Sequence, residues 1–154
     1  MGLDMYLSAK KYLSKYFDAE DTGKINAIND IFGLVGEEDG DYGAQEVTFR
    51  IAYWRKANAI HQWFVDNCQD GVDECQETFI PRDKLQELME LCEAIIADPK
   101  KARENLPTAS GFFFGSTEYD EWYMQDIKHT ADRLKKILND EALKKCDFYY
   151  QSSW

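Results

Sequence analysis

The chain has 154 residues, 44% of them hydrophobic and 14% aromatic, which is too rich for a disordered segment and enough to bury the core of one domain. Its 29 acidic and 18 basic residues leave a formal charge of -11. That balance excludes broad electrostatic binding of a nucleic-acid backbone and fits a solvated acidic surface, a basic protein partner or mimicry of a polyanion.

Met5, Leu7, Ala9 and Leu13 alternate with Tyr6, Ser8, Lys10 and Tyr12, which predicts a strand over residues 3–13. Caps at 18–22 then open a short helix with Ile25, Ile28 and Phe32 on one face, closed by Gly33. The acidic, glycine-rich stretch 36–43 reads as a loop, and Val47, Phe49 and Ile51 alternate as a second strand. A helix is predicted over 52–65. At ~100° per residue Tyr53, Ala57, Ile60 and Phe64 form one stripe, flanked by Trp54, Asn58, His61 and Val65 on one side and by Lys56, Ala59 and Trp63 on the other. Only Arg55 and Gln62 keep a clearly polar side, so Asn58 and His61 are expected to be part-buried.

A turn at 69–73 and a short strand at 78–80 follow, and Pro81 suits a helix start. Leu85, Leu88, Met89, Cys92, Ile95 and Ile96 give that helix an apolar face until Asp98-Pro99 stops it, and 99–109 reads as a polar connection. Ser110-Gly111-Phe112-Phe113-Phe114-Gly115 is then expected to be an aromatic strand buried on both faces in the middle of the fold. Thr117, with Asp120 three residues on, opens a helix carrying Tyr119, Trp122, Tyr123, Ile127, Ala131, Leu134 and Leu138. Phe148, Tyr149, Tyr150 and Gln151 form a last strand that ends at Trp154. The expected fold is a single α+β domain over 1–154, with about five short strands and about four helices in one layer on the sheet.

No apolar run approaches the ~20 residues that cross a bilayer, and Asp4 and Lys10 interrupt the first apolar stretch, so the expectation is a cytoplasmic protein without a signal peptide. Cys68, Cys75, Cys92 and Cys146 form no C-x-x-C pair and are expected to stay reduced.

Few patterns point to chemistry. Asp66, Asp70, Gly71 and Glu77 match positions one, five, six and twelve of a calcium loop, but Cys68 stands at position three and Asp73 replaces the apolar anchor, so a turn is expected there and no metal. His61 and His129 are the only histidines and neither has zinc-ligand spacing. His61 is the candidate for general acid–base work, or else a satisfied core histidine. Glu118, Asp120 and Glu121 suit the start of a helix and need no catalytic role. What remains is a set of cations and amides among aromatics: Trp54, Arg55, Lys56, Asn58, His61 and Tyr119. Aromatic walls with a few placed cations suit a planar anionic ligand such as a nucleotide, and no catalytic residue or cofactor is assigned.

Four segments carry a resemblance that spans the chain: Met1-Gly2-Leu3-Asp4-Met5-Tyr6-Leu7, the stretch Tyr53-Trp54-Arg55-Lys56-Ala57-Asn58-Ala59-Ile60-His61, the run at 110–123, and Asp147-Phe148-Tyr149-Tyr150-Gln151-Ser152-Ser153-Trp154. Together they resemble a family of small proteins encoded by tailed bacteriophages and prophages. The resemblance implies an accessory product made in the host bacterial cytoplasm, of a kind that often neutralises host defences. Three functions are open at this point: a binding protein whose pocket sequesters a small anionic host signal, an acidic protein that occupies a basic site on a host defence enzyme, or a small hydrolase or transferase using His61.

Overall fold

A computed structural model describes residues 2–34 and 43–154. The elements run β1 (Asp4–Tyr12), α1 (Ala19–Phe32), β2 (Glu46–Arg55), α2 (Asn58–Cys68), β3 (Thr78–Ile80), α3 (Arg82–Ala97), a one-turn α4 (Ala102–Asn105), α5 (Glu121–Asn139) and β4 (Asp147–Ser153). The four strands form one antiparallel sheet in the order β2-β1-β4-β3, and with the helices they make the fold α+β as expected. The backbone gathers into two compact units, one of Met1–Ala9 with Arg50–Trp154 and the other of Lys10–Phe49.

In the first unit, period-two alternation sends one face of each strand into a single core. Leu3, Met5, Leu7 and Ala9 point inward, as do Ala52 and Trp54 of β2, Ile80 of β3, and Phe148 and Tyr150 of β4. The same core takes Ile60 and Phe64 from α2, Leu85, Leu88, Cys92 and Ile95 from α3, and Ile127 and Leu134 from α5. Phe64 stacks on Tyr150 with ring centroids 4.1 Å apart and an interplanar angle of 12°, which ties α2 to β4. The regular stripes read in α3 and α5 are the faces these helices bury, although Ile96 and Trp122 turn outward.

The second unit is organised by polar groups. Asp18 caps α1 by accepting from the Glu20 N–H at 3.1 Å, and Gly33 ends it at φ 66, in the left-handed conformation that glycine adopts freely. The buried face of α1 is Asp21, Ile25 and Asn29. Asp21 accepts from the Ser14 N–H at 3.2 Å and lies 3.7 Å from Lys11 Nζ, while Asn29 Oδ1 accepts from the Ala44 N–H at 3.0 Å. The apolar stripe predicted for this helix is therefore only partly used: Ile25 is buried, but Phe32 is 74% exposed. Hydrogen bonding to the flanking chain, not apolar periodicity, selects the inner face. The loop expected at 36–43 lies outside the described residues apart from Gly43.

Two expectations are corrected. Residues 110–115 are not a strand. The Phe114 N–H donates to Gly111 O at 3.1 Å to close a turn, and a Cβ on Gly111 would lie 2.6 Å from Phe114 Cγ. Gly111 admits the Phe114 ring against the backbone, so Phe114 turns toward the core while Phe112 is 96% exposed. The predicted helix over 52–65 begins only at Asn58, because Tyr53, Trp54 and Arg55 extend β2. Tyr53 pairs across the sheet with Tyr6, and Trp54 Nε1 donates to Thr130 Oγ1 of α5 at 2.9 Å. Tertiary pairing overrides a helical spacing that was itself real.

These placements predict opposite outcomes for two phenylalanines. Phe112→Ala should change the urea-unfolding free energy by less than ~0.5 kcal/mol, whereas Phe64→Ala should cost ~3–5 kcal/mol. A large loss at Phe112 would restore the interior strand.

Candidate ligand-binding site

The break between β2 and α2 builds the site. Lys56 donates its N–H to Leu3 O at 2.8 Å and has φ 59, a left-handed conformation uncommon for a non-glycine residue. Two glycines flank its side chain: a Cβ on Gly115 would lie 3.2 Å from Lys56 Cβ, and one on Gly2 would lie 3.2 Å from its Cε. The ammonium group makes no hydrogen bond or ion pair with a described residue. Ala57 then precedes α2 without a side-chain cap. The first i to i−4 bond is made by the His61 N–H to Ala57 O at 3.0 Å, and the N–H groups of Ala59 and Ile60 donate to no described residue.

Those two residues line a cavity of about 330 Å³. Its wall continues through Arg55, Lys56 and Asn58, through Thr108, Ser116 and Glu118, and through Asp120, Trp122, Tyr123 and Asp126 of α5 and its cap. Asn58 shapes this wall. Its Nδ2 donates to Phe114 O at 3.0 Å and Ser116 O at 2.8 Å, and its Oδ1 accepts from the Ala109 N–H at 3.0 Å. Asp120 is the cap of α5, accepting from the N–H groups of Trp122 and Tyr123 at 3.0 and 3.1 Å. The capping residue is thus Asp120 itself, three residues beyond the predicted Thr117. Asp126, one turn into α5, has no side-chain partner among the described residues. Burial, and then the nearby Asp120 carboxylate, push its pKa up to about 6.

His61 lies elsewhere. It is fully buried, with Nδ1 2.7 Å from the Tyr150 hydroxyl and Nε2 3.0 Å from Asp73 Oδ2. Burial holds the Tyr150 hydroxyl well above its usual pKa, so it donates to Nδ1, and the Nε2–H donates to Asp73. Asp73 also accepts from Trp154 Nε1 at 3.0 Å, which fastens the end of the chain. The residue that spoils the calcium-loop pattern is therefore the acceptor of a core network, and Gly71 makes the expected turn at φ 74. Among the described residues no group of three His, Cys, Asp or Glu side chains could hold a metal ion.

Of the six residues singled out from the sequence, Arg55, Lys56 and Asn58 line the cavity. Trp54 and His61 are core residues. Tyr119 stands outside the lining, where its hydroxyl accepts from the Thr108 N–H at 3.2 Å and Arg103 lies over its ring. Sequence reasoning missed Asp126, Trp122, Ser116 and Thr108. Asp126 did leave a signal, since it sits within one turn of Trp122, Tyr123 and Ile127 along the apolar stripe of α5.

Two predictions test this geometry. Asn58→Ala should lower stability by ~2 kcal/mol in urea denaturation, because it strips partners from three backbone groups at once. Asp126 binds its proton more tightly folded, at about 6, than at its unperturbed 3.8. Its contribution is thus fully present below 3.8 and lost as pH rises through about 6. Asp126→Asn should flatten the pH dependence of stability across that window. At pH 7 it should raise stability by ~1 kcal/mol, a figure discounted for partial exposure; a variant less stable than the parent at pH 7 would contradict the assignment.

No helix among the described residues is long and apolar enough to cross a membrane. No protein-family model, curated protein or solved structure matches the chain.

Proposed function

We propose that the chain is a non-catalytic accessory protein of phage type, acting in the host cytoplasm, whose cavity at the start of α2 holds a small anionic, nucleotide-like ligand and so sequesters a host defence signal. The observation that carries this reading is the open first turn of α2. Ala59 and Ile60, whose N–H groups donate to no described residue, lie in the wall of a cavity edged by Arg55 and Lys56, with Ala59 4% and Ile60 0% exposed. Backbone donors at a helix start, two cations and the Ser116 hydroxyl, which accepts from the Glu118 N–H at 3.1 Å and keeps its own proton to donate, are a chemistry suited to phosphate. The exposed indole of Trp122 adds an aromatic surface at the cavity. A catalytic role for His61 gains no support, because both ring nitrogens are bonded inside the core.

One observation favours the second reading, a direct protein inhibitor. In the Lys10–Phe49 unit, Tyr16, Phe17, Ile31 and Phe32 are between 74% and 90% exposed, which suits burial against a protein partner.

The test is thermal melting against mono-, di- and cyclic nucleotides. At a hundredfold excess over Kd a true ligand should add ~2.7 kcal/mol of stability, and Lys56→Ala should weaken that shift without an equal loss of intrinsic stability. Absence of a shift across the panel would reject the cavity reading and favour the protein partner.

A further inference from the structure

We infer that the ligand is a nucleoside phosphate whose base carries an exocyclic amine, held with its phosphate at Lys56 and the first turn of α2 and its amine on the carboxylate of Asp126. This rests on the proposed binding function and narrows it.

The cavity is not simply basic. Arg55 and Lys56 share its lining with Glu118, Asp120 and Asp126. A ligand that is only an anion would satisfy the cations and leave the carboxylates facing like charge. The three carboxylates differ in what else they do. Asp120 is committed to the N–H groups of Trp122 and Tyr123. Glu118 is exposed, where water satisfies it. Asp126 is half-buried, lines the cavity from α5 and has no partner among the described residues. An ionised carboxylate only accepts hydrogen bonds, so the ligand group that meets Asp126 must donate. An exocyclic amine donates, and a base lies flat on an indole. Trp122 is four residues before Asp126 on α5, on the same side of the helix, and is 72% exposed.

Lys56 supplies the opposite pole. Its strained backbone is held by the bond to Leu3 O, and its side chain is flanked by Gly2 and Gly115. Strain of that kind persists only where the surroundings impose it, and here it sets Lys56, whose ammonium has no described partner, in the same cavity wall as the first turn of α2. The two poles lie on different elements, so one ligand that reaches both must be bipolar.

The experiment is calorimetric titration of the full chain with AMP, GMP, CMP, purine riboside 5′-monophosphate and ribose 5-phosphate at pH 7.5. Purine riboside monophosphate keeps the phosphate, sugar and ring but lacks any amine. At least one amino-bearing nucleotide should bind tenfold or more tighter than it, and Asp126→Ala should erase that difference. Lys56→Ala should weaken amino-bearing and amine-free nucleotides by a similar factor. Equal binding of both kinds, or a preference that survives Asp126→Ala, would overturn the inference and leave the cavity as a phosphate site. Binding of none of the five would overturn the cavity reading as well. Asp126→Ala places a good helix former in the second turn of α5, so circular dichroism should show an intact fold.

Discussion

Asn58 fixes the path of the chain from Ala109 to Ser116 with one side-chain amide, and the site depends on that clamp. With both of its donors on carbonyls and its oxygen on an N–H, the amide holds a turn of glycines and phenylalanines against the first turn of α2. The clamp brings Gly115 beside Lys56 and Ser116 into the cavity wall. It also leads the chain to Asp120, whose carboxylate starts α5. Asn58 stands at the first position of α2, and its side chain serves the loop instead of capping its own helix. The cap position falls to Ala57, which has no side chain to bond the helix start, so the N–H groups of Ala59 and Ile60 donate to no described residue.

A second polar residue of α2 has the opposite consequence. His61 lies one turn further on, and its bonds to Tyr150 and Asp73 link α2 to β4 and to the turn after α2. Burying an imidazole costs stability unless both nitrogens are satisfied, and here they are. The same helix thus presents an open polar end to the cavity and a closed polar network to the core. The proposed function belongs to the cavity end. The acidic balance of the chain reaches this wall too, since Glu118, Asp120 and Asp126 share it with Arg55 and Lys56, so the proposed anion site depends on where each group of the ligand is placed and not on net charge.

The sequence was legible where burial followed a simple period. The stripes of α3 and α5, the alternation of β1 and the aromatic β4 reappear because each buries one face against one core. It was misleading where another force chose the conformation. Phe112 to Phe114 alternate like a strand, but Gly111 lets Phe114 fold back and the backbone bonds go to Leu3 and Asn58. Tyr53 and Trp54 fit a helix, yet pairing with β1 claims them. Asp21 and Asn29 displace Phe32 from the inner face of α1 because flanking N–H groups need acceptors. At the site, Arg55, Lys56 and Asn58 could be named because cations and amides near aromatics are visible in a sequence. Asp126 left a weaker signal, its place beside the apolar stripe of α5, but its lack of a partner arises only once α5 lies against the cavity.

The proposed ligand meets the first turn of α2, where Ala59 and Ile60 keep N–H groups without a described partner. The most direct test is a two-dimensional amide NMR titration with the tightest-binding nucleotide monophosphate. The largest downfield shifts should fall on the Ala59 and Ile60 amides, with smaller changes at Lys56, Ser116 and the Trp122 indole. Unmoved Ala59 and Ile60 amides, with the largest changes instead on Tyr16, Phe17 and the exposed end of α1, would contradict that placement.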